Sequence, residues 1–533
     1  MRAARDAYQK QLEICQKLAD DDPQNVQLQR YLSKACLTLG GANLALGDLP
    51  TAGAAFKKSM EICLRLSQAD PADPQASLDL SISYQRLGNL NLQSGDTTGA
   101  RGNYEKSLRI IEPLAEAEPE NVGLQRELVV SYRLLGDVLI QSGSLAAREN
   151  YEKAMQIAER LAKADPKNVM AQSDLSVLYD RLGSLNLQLG NTTAARESYE
   201  KSLKIEERLA KAEPGNVNVQ RDLSSSYNEL GDVSLQLGDA ASAGDDYQRS
   251  LKIHQQLAAA GPHNAQAQGD LSRSYSRLGN VNLKLDNVST ARENYEMLLK
   301  ISQQLAQADP RSTEARANLG CSFGFLGLVE KSVGDFPAAA KWFEQEVAIL
   351  AKLDQEGKIA NQPFYQGWLK VGKWQLQLCN AAPPAIDDLK FAMAQPKDMA
   401  PELLAIRARA LARRGKHADA VATAEKLVAI DPKAGENLYM AAGVYSLCSA
   451  AVASAKLPAV VPADEKQLQE RYAARAVELL KQSEAAGYFQ NADKRVALQY
   501  EHDLDPLRGR DDFKKLLAEV IGTPPVASSP PAR

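Results

Sequence analysis

A proline recurs along the first 310 residues with a spacing of 48 and one step of 47. A Leu-Gly pair and an aromatic residue keep the same period, which is too regular over this length to be chance. The prolines are Pro23, Pro71, Pro119, Pro166, Pro214, Pro262 and Pro310. The pairs begin at Leu39, Leu87, Leu135, Leu182, Leu230, Leu278 and Leu326, and the aromatics are Tyr8, Phe56, Tyr104, Tyr151, Tyr199, Tyr247, Tyr295 and Phe343. Because a single core stops growing at about 250–300 residues, this pattern in 533 residues predicts stacked repeats.

Each repeat carries the start and stop signals of two helices. A capping residue follows the proline, a glycine suited to a left-handed conformation ends the first helix, and a second cap follows at once. The first caps are Asn25, Asp73, Asn121, Asn168, Asn216, Asn264 and Ser312. The glycines are Gly95, Gly143, Gly190, Gly238 and Gly334, and the second caps are Asp96, Ser144, Asn191, Asp239, Asn287 and Asp335. No alternating strand pattern is present, so the sequence predicts an all-α fold of antiparallel helix pairs.

The residues of one repeat resemble the tetratricopeptide repeat. Tyr84, Leu87-Gly88, Gly95-Asp96, Ala100 and Tyr104 keep every internal spacing of that family's pattern. The period is longer than the family's 34 residues, by about seven residues or two turns in each helix, and the elongated repeats of kinesin light chains are similar in kind. The resemblance covers roughly residues 1 to 350 and implies a right-handed α-solenoid, the tetratricopeptide superhelix.

Three regions are predicted from how closely the chain keeps this period. Residues 1–350 form the regular array, residues 351–521 a divergent array of similar repeats, and residues 522–533 a disordered Pro-rich tail. A Pro/Ala-rich insertion, Leu457 to Asp464, interrupts the divergent region.

The end of the chain has a second resemblance. With Ala-Ala-Gly-Tyr at 485–488 and Asp-Leu-Asp-Pro-Leu-Arg at 503–508, it is similar to the end of the long repeat regions attached to bacterial serine/threonine kinases. The chain also begins within a second helix that has no first helix before it. Arg2 to Asp20 is therefore either a natural terminal cap or the start of a piece cut from a longer protein, and both remain open.

Charge and motif content argue against nucleic acid, membrane insertion and catalysis. A net charge of −4 and a pI near 5.9 leave no basic stripe for phosphates, and no apolar run is long enough to span a bilayer. A phosphate-loop spacing at Gly367–Lys373 fails because Trp374 stands where Ser or Thr would hold magnesium. We expect no enzyme activity, no catalytic residue and no cofactor.

The histidines and cysteines also give no sign of a catalytic or metal site. The four histidines lack metal-ligand spacing, so solvated structural roles and no metal site are expected. They are His254, His263, His417 and His502. The six cysteines form no Cys-x-x-Cys pair and are expected to be reduced, mostly buried thiols of a cytoplasmic protein.

A stripe of polar residues is the candidate binding surface. In the family that this chain resembles, ligands lie in a concave groove of first helices, two residues before the Leu and one after the Gly of the Leu-Gly pair. These positions hold Gln85 and Asn89, Arg133 and Asp137, Asp180 and Ser184, Asn228 and Asp232, and Ser276 and Asn280. A solvated helix stripe is the other interpretation, although solvation alone would not favour short amides and carboxylates over Lys and Glu. Arg273 and Arg277, with Asn280, resemble part of a clamp for a peptide carboxylate.

The charges of the stripe suggest how a ligand would be oriented. Its middle is mildly acidic, and the stretch with Arg273, Arg277 and Lys284 is basic, a gradient that sets register and association rate. The sequence therefore favours a non-catalytic scaffold that binds an extended peptide or helix of a protein partner in the groove. The alternative is the sensory or docking region of a larger bacterial serine/threonine kinase whose catalytic domain lies outside this chain.

Overall fold

The computed structural model describes residues 2–140, 146–454 and 463–522, which form two compact units, residues 1–212 and 213–533. Helices hold 86% of the described residues, far above the third that is typical of globular proteins, and this part of the chain contains no strand. The predicted all-α solenoid of antiparallel helix pairs is confirmed. No described helix has both the length and the apolar character that crossing a membrane requires.

Unit 1 is a stack of helix pairs in which each helix packs against the next. Its helices are α1 Arg2–Asp21, α2 Val26–Ala45, α3 Leu49–Ala69, α4 Pro74–Gln93, α5 Thr97–Ala117, α6 Val122–Ile140, α7 Ala146–Ala164, α8 Val169–Gln188 and α9 Thr192–Ala212. The first helices of successive pairs, α2, α4, α6 and α8, also contact one another. We call the surface that they form together the first-helix face.

Unit 2 continues with long pairs and ends in shorter helices. Its long helices are α10 Val217–Leu237, α11 Ala240–Ala260, α12 Ala265–Lys284, α13 Val288–Ala308, α14 Thr313–Val333, α15 Phe336–Gln355 and α16 Pro363–Asp387. The remainder are α17 Leu389–Met393, α18 Ala400–Arg413, α19 His417–Ile430, α20 Gly435–Ser454, α21 Ala463–Ala485, α22 Ala492–Tyr500 and α23 Asp511–Gly522, with 3₁₀ helices at Tyr488–Gln490 and His502–Leu507. Its first-helix face is formed by α10, α12, α14 and α16. The domain boundary near residue 350 stays a prediction, since α15 packs directly on α16.

The predicted caps begin the helices as expected. All seven first caps accept a hydrogen bond from a backbone N–H of the first turn. Gly95, Gly190, Gly238 and Gly334 have φ between 76° and 85°, the left-handed conformation that glycine adopts without strain. Asn287 is the exception, because its side chain makes no capping bond. Gly143, Ser144, the insertion from residue 457 up to residue 462 and the tail from residue 523 lie outside the described residues.

The Leu-Gly glycines are where first and second helices approach most closely. A Cβ placed on Gly88 would lie 2.4 Å from the ring of Tyr104, and one on Gly183 would lie 2.6 Å from the ring of Tyr199. Tyr104 is completely buried, and so are its counterparts Phe56, Tyr151 and Tyr295. The glycine and the aromatic therefore recur together because the ring occupies the space that a side chain on the glycine would need.

Candidate binding face

In the five repeats whose buried aromatic is a tyrosine, the residue after the Leu-Gly pair bonds that tyrosine. Asn89 accepts a hydrogen bond at 2.7 Å from the hydroxyl of Tyr104, and Asp137 accepts one at 2.8 Å from Tyr151. The same bond joins Ser184 with Tyr199, Asp232 with Tyr247, and Asn280 with Tyr295. A buried hydroxyl needs a partner, so these short polar residues satisfy the tyrosines inside the repeat.

In two repeats the tyrosine is replaced by phenylalanine, and the polar residue after the Leu-Gly pair is absent as well. Where the aromatic is Phe56, which has no hydroxyl, the matching position holds Gly41, and where it is Phe343 the position holds Leu328. The preference for short amides and carboxylates therefore follows the tyrosine hydroxyl and is no evidence for a ligand.

This pairing predicts a small and reversible effect on stability. Tyr104→Phe removes the hydroxyl and leaves Asn89 without its donor, so we expect a loss of about 1 kcal/mol in the free energy of unfolding. Adding Asn89→Leu recreates the Phe343–Leu328 arrangement and should restore most of that loss. Urea unfolding followed by circular dichroism measures both variants. A double variant that is less stable than Tyr104→Phe alone would contradict the pairing.

In the repeats of Gln85 and Arg133, the side chain two residues before the Leu has partners within the repeat array. The amide of Gln85 is buried and bonds Ser107, Glu127 and Ser131 of the two helices that follow. In the next repeat, the guanidinium of Arg133 pairs with the carboxylate of Asp137 on the same helix, α6, at 2.8 Å.

The remaining members of this set are partly buried. Asn228 and Ser276 are both partly buried, and the side-chain amide oxygen of Asn228 is inaccessible to solvent. Asp180 is likewise partly buried. Of the residues at this position, Gln85 has hydrogen bonds to the next repeat.

The clamp-like arginines are engaged separately. Arg273 is exposed and donates to Asp270 on its own helix. Arg277 donates to Asp232 and lies over the ring of Tyr247 at 5.5 Å. Lys284 pairs with Asp493 at 2.6 Å. All three basic groups of the expected charge gradient thus have acidic partners within the chain, although the gradient itself stays a prediction.

We call a second line of residues, one position further along each helix, the outward line, because Arg86 on it is exposed. In unit 1 it contains the exposed Arg86 and the partly exposed side chains of Ile82, Val130 and Val177, which occupy one register of α4, α6 and α8. Arg181 shares the register of Arg86 and reaches back to Asp137 at 3.0 Å. The position that would pair with Arg86 in the same way is Gly41, and Arg86 forms no ion pair with a described residue.

Sequence reasoning missed this line. The available signal was that three repeats have an aliphatic residue at the same register of the first helix. These residues were interpreted only as part of the apolar periodicity of the helices.

In unit 2 the first helices hold a segment from the end of the chain. Helix α22 packs on the C-terminal ends of α10 and α12, where Val496 is buried in the core that contains Tyr247 and Tyr295. Arg495 donates to the carbonyl of Gln236 at 3.3 Å, and the backbone of His502 donates to Asp286 at 3.2 Å. The repeat array therefore binds a short helix of its own chain.

His254 is not in a solvated position, and that prediction is wrong. Its ring is 6% exposed, with Nε2 2.8 Å from the hydroxyl of Ser224 and Nδ1 2.6 Å from that of Ser274. Burial lowers the pKa of His254, so the ring is held neutral between two first helices. The described residues contain no cluster of His, Cys, Asp or Glu that could hold a metal, and Gly367–Lys373 lie within α16.

One family model matches the chain. It is described as a tetratricopeptide repeat and covers residues 177–208, in α8 and α9. This stretch is similar to a tetratricopeptide repeat. No curated protein matches.

Three solved structures share the fold class at low identity. BtubC from P. vanneervenii is 21% identical, with 49% of this chain and 92% of that chain covered and a TM-score of 0.38. The apo form of RapI is 11% identical over 83% and 97%, with a TM-score of 0.39. A signal transduction ATPase with a tetratricopeptide repeat sensor from Pyrococcus horikoshii is 16% identical over 70% and 53%, with a TM-score of 0.36. Similarity at this level carries no argument about function.

Proposed function

We propose that this chain is a non-catalytic scaffold of elongated tetratricopeptide-type repeats that binds a helix or extended segment of a partner protein on the first-helix face of unit 1. One observation carries the proposal. In unit 2 the same kind of surface already holds a helix, α22, through a buried valine, a guanidinium on a helix C-terminus and an ion pair. Proteins with such repeats generally mediate protein–protein interactions.

The outward line of unit 1 supports the proposal chemically. Ile82, Val130 and Val177 supply a row of partly exposed aliphatic side chains on successive first helices, and Arg86 supplies an exposed cation that forms no ion pair with a described residue. An amphipathic helix lays its apolar face into such a groove. The partner segment should therefore present apolar residues at helical spacing with an acidic residue beside them.

The test uses peptides selected on the intact chain from a displayed library. We expect Arg86→Glu and Ile82→Ser each to weaken binding of the selected peptides by about tenfold or more, because a central contact of an interface is typically worth over 1 kcal/mol. The matched control is Arg109→Glu, an exposed arginine on the second helix α5, which should leave affinity unchanged. If the control weakens binding as much as Arg86→Glu does, the binding site is not on this face.

The proposal also includes two narrower hypotheses, one on cellular location and one on a role within a larger kinase. A cytoplasmic location fits the free state of all six cysteines, five of which are buried. The role of a docking region in a bacterial serine/threonine kinase is tested by the genomic sequence upstream of Met1. A kinase domain in the same reading frame would support it, and an unrelated gene would exclude it.

A further inference from the structure

Glu346, on the second helix α15, carries a carboxyl group that lacks the compensation that buried polar groups normally have. The residue is 1% exposed, and neither carboxyl oxygen has a hydrogen-bond partner among the described residues. Burial raises the pKa of Glu346 to about 8. Burying a carboxyl group without a hydrogen-bond donor lowers the stability of the fold. Helix packing alone therefore does not explain why a glutamate stands at this position.

Two glycines provide the space that the carboxyl group occupies. A Cβ on Gly324 of α14 would lie 2.5 Å from Oε2 of Glu346, and one on Gly372 of α16 would lie 2.8 Å from it. In two other repeats the position of Gly324 holds a long side chain, Gln85 or Arg133. The carboxyl group therefore extends between two first helices, into a space that side chains fill elsewhere in the array.

Glu346 is part of the wall of a cavity of about 500 Å³ whose other walls are almost wholly apolar, and its carboxyl oxygens are covered. Phe325 and Trp368 both line this cavity, and their rings meet edge to face with centroids 4.7 Å apart. Phe364 is 63% exposed and Val371 52% exposed, so the rim presents large apolar side chains to solvent. Pockets of this size and lining are typical of small-molecule sites, where a few polar groups set the orientation of the ligand.

The polar groups around the cavity leave Glu346 unpaired. Gln375 of α16 lines the wall but accepts a bond from Lys331 at 3.1 Å, and Lys331 also pairs with Glu402 at 3.6 Å. The titratable neighbour on α14 is Cys321, whose thiol pKa is raised by burial and by Glu346 itself. No described cation neutralises the carboxyl group.

We propose that this pocket binds a small organic cation in which an ammonium group is attached to an aromatic or branched apolar group. With the Glu346 side chain turned towards the cavity, the ammonium group would donate the hydrogen bond and supply the opposite charge that the carboxyl group lacks. The apolar group would fill the cavity, and the faces of Trp368 and Phe364 favour a cation beside them. This site is independent of the partner surface on unit 1.

The test is isothermal titration calorimetry of the full chain with phenethylamine. Phenethyl alcohol and 3-phenylpropanoate are its neutral and anionic analogues of similar size. We expect the amine to bind at least about tenfold more tightly than either analogue, and Glu346→Gln to remove that preference. Glu344→Gln, at an exposed position on the same helix, is the matched control and should keep the preference.

Proton release gives a second readout that a plain apolar cavity would not show. At pH 7 the free carboxyl group is mainly protonated, so amine binding should release about one proton, measured in buffers of different ionisation enthalpy, and the release should vanish near pH 9. Cys321 stays protonated throughout this range, because burial raises its thiol pKa. Equal affinity for the amine and the alcohol, or no binding of the amine at millimolar concentration, would overturn the proposal.

Discussion

Replacing Gly183 by leucine should destabilise unit 1 by about 1–3 kcal/mol, because it overfills the closest approach between α8 and α9. A Cβ at this position would already lie 2.6 Å from the ring of Tyr199, and that ring is buried against the helix. Leucine adds three further carbons, so the ring or the helix must move. Thermal and urea unfolding followed by circular dichroism measures the loss.

The effect should also be local. Solenoid stability is close to a sum of terms between neighbouring repeats, so hydrogen exchange should accelerate in α8 and α9 before the rest of unit 1. Gly102→Leu on α5 is the control, since a Cβ on Gly102 meets no atom within 4 Å. A single transition, with protection lost uniformly over all helices of the unit, would contradict the repeat-by-repeat account.

Glu346 should lower the free energy of unfolding as the pH rises from about 4.5 to about 8, while His254, whose pKa is lowered by burial, acts in the opposite direction. The pKa of Glu346 is raised from 4.5 to about 8 by burial. The folded chain therefore holds this proton more tightly than the unfolded chain, and its contribution is complete below pH 4.5 and lost as pH rises through about 8. Within that window the cost is roughly 1 kcal/mol per pH unit.

Glu346→Gln isolates this contribution, because glutamine has almost the same shape and does not titrate. The variant should be more stable than the parent chain at pH 8.5, with the difference shrinking towards pH 5. Unfolding in urea at several pH values compares the two chains directly. Parallel curves with a constant offset would show that the carboxyl group does not change its protonation on unfolding.

The helices and their ends were predictable because their signals are local. Asp73 and Gly95 act within a few residues of their own positions, and the conformations that they favour are properties of the residue type. The period extended the prediction to the whole array, and it also placed the aromatic rings near the glycines. Gly415, between α18 and α19, likewise has a left-handed φ of 74°.

The binding positions were harder to predict because a polar residue on a helix can satisfy a neighbour or face a ligand. Asn89 and Asp137 looked like ligand contacts until their bonds to tyrosine hydroxyls were seen. The sequence did contain the answer, since the polar residue disappears at Phe56 and Phe343. Comparing those two repeats with the others would have separated the structural polar residues from the exposed line of Ile82 and Arg86.

Contacts that are distant in sequence gave no such signal. Nothing in the residues around Val496 indicates that α22 packs on α10 and α12, because the match depends on the shape of the assembled array. The burial of His254 was missed for the same reason, since its serine partners lie on two different helices. Glu346 had a weak signal in Gly324 and Gly372, but only the packing shows that these glycines make room for a carboxyl group.

The central claim is that the first-helix face of unit 1 binds a partner segment, and hydrogen exchange tests it most directly. A peptide selected on the intact chain should slow amide exchange in α2, α4, α6 and α8, with the largest change beside Ile82 and Arg86 on α4, and leave α3, α5 and α7 nearly unchanged. Slower exchange confined to those second helices, or to the described helices after residue 350, would contradict the claim and place the binding surface elsewhere on the chain.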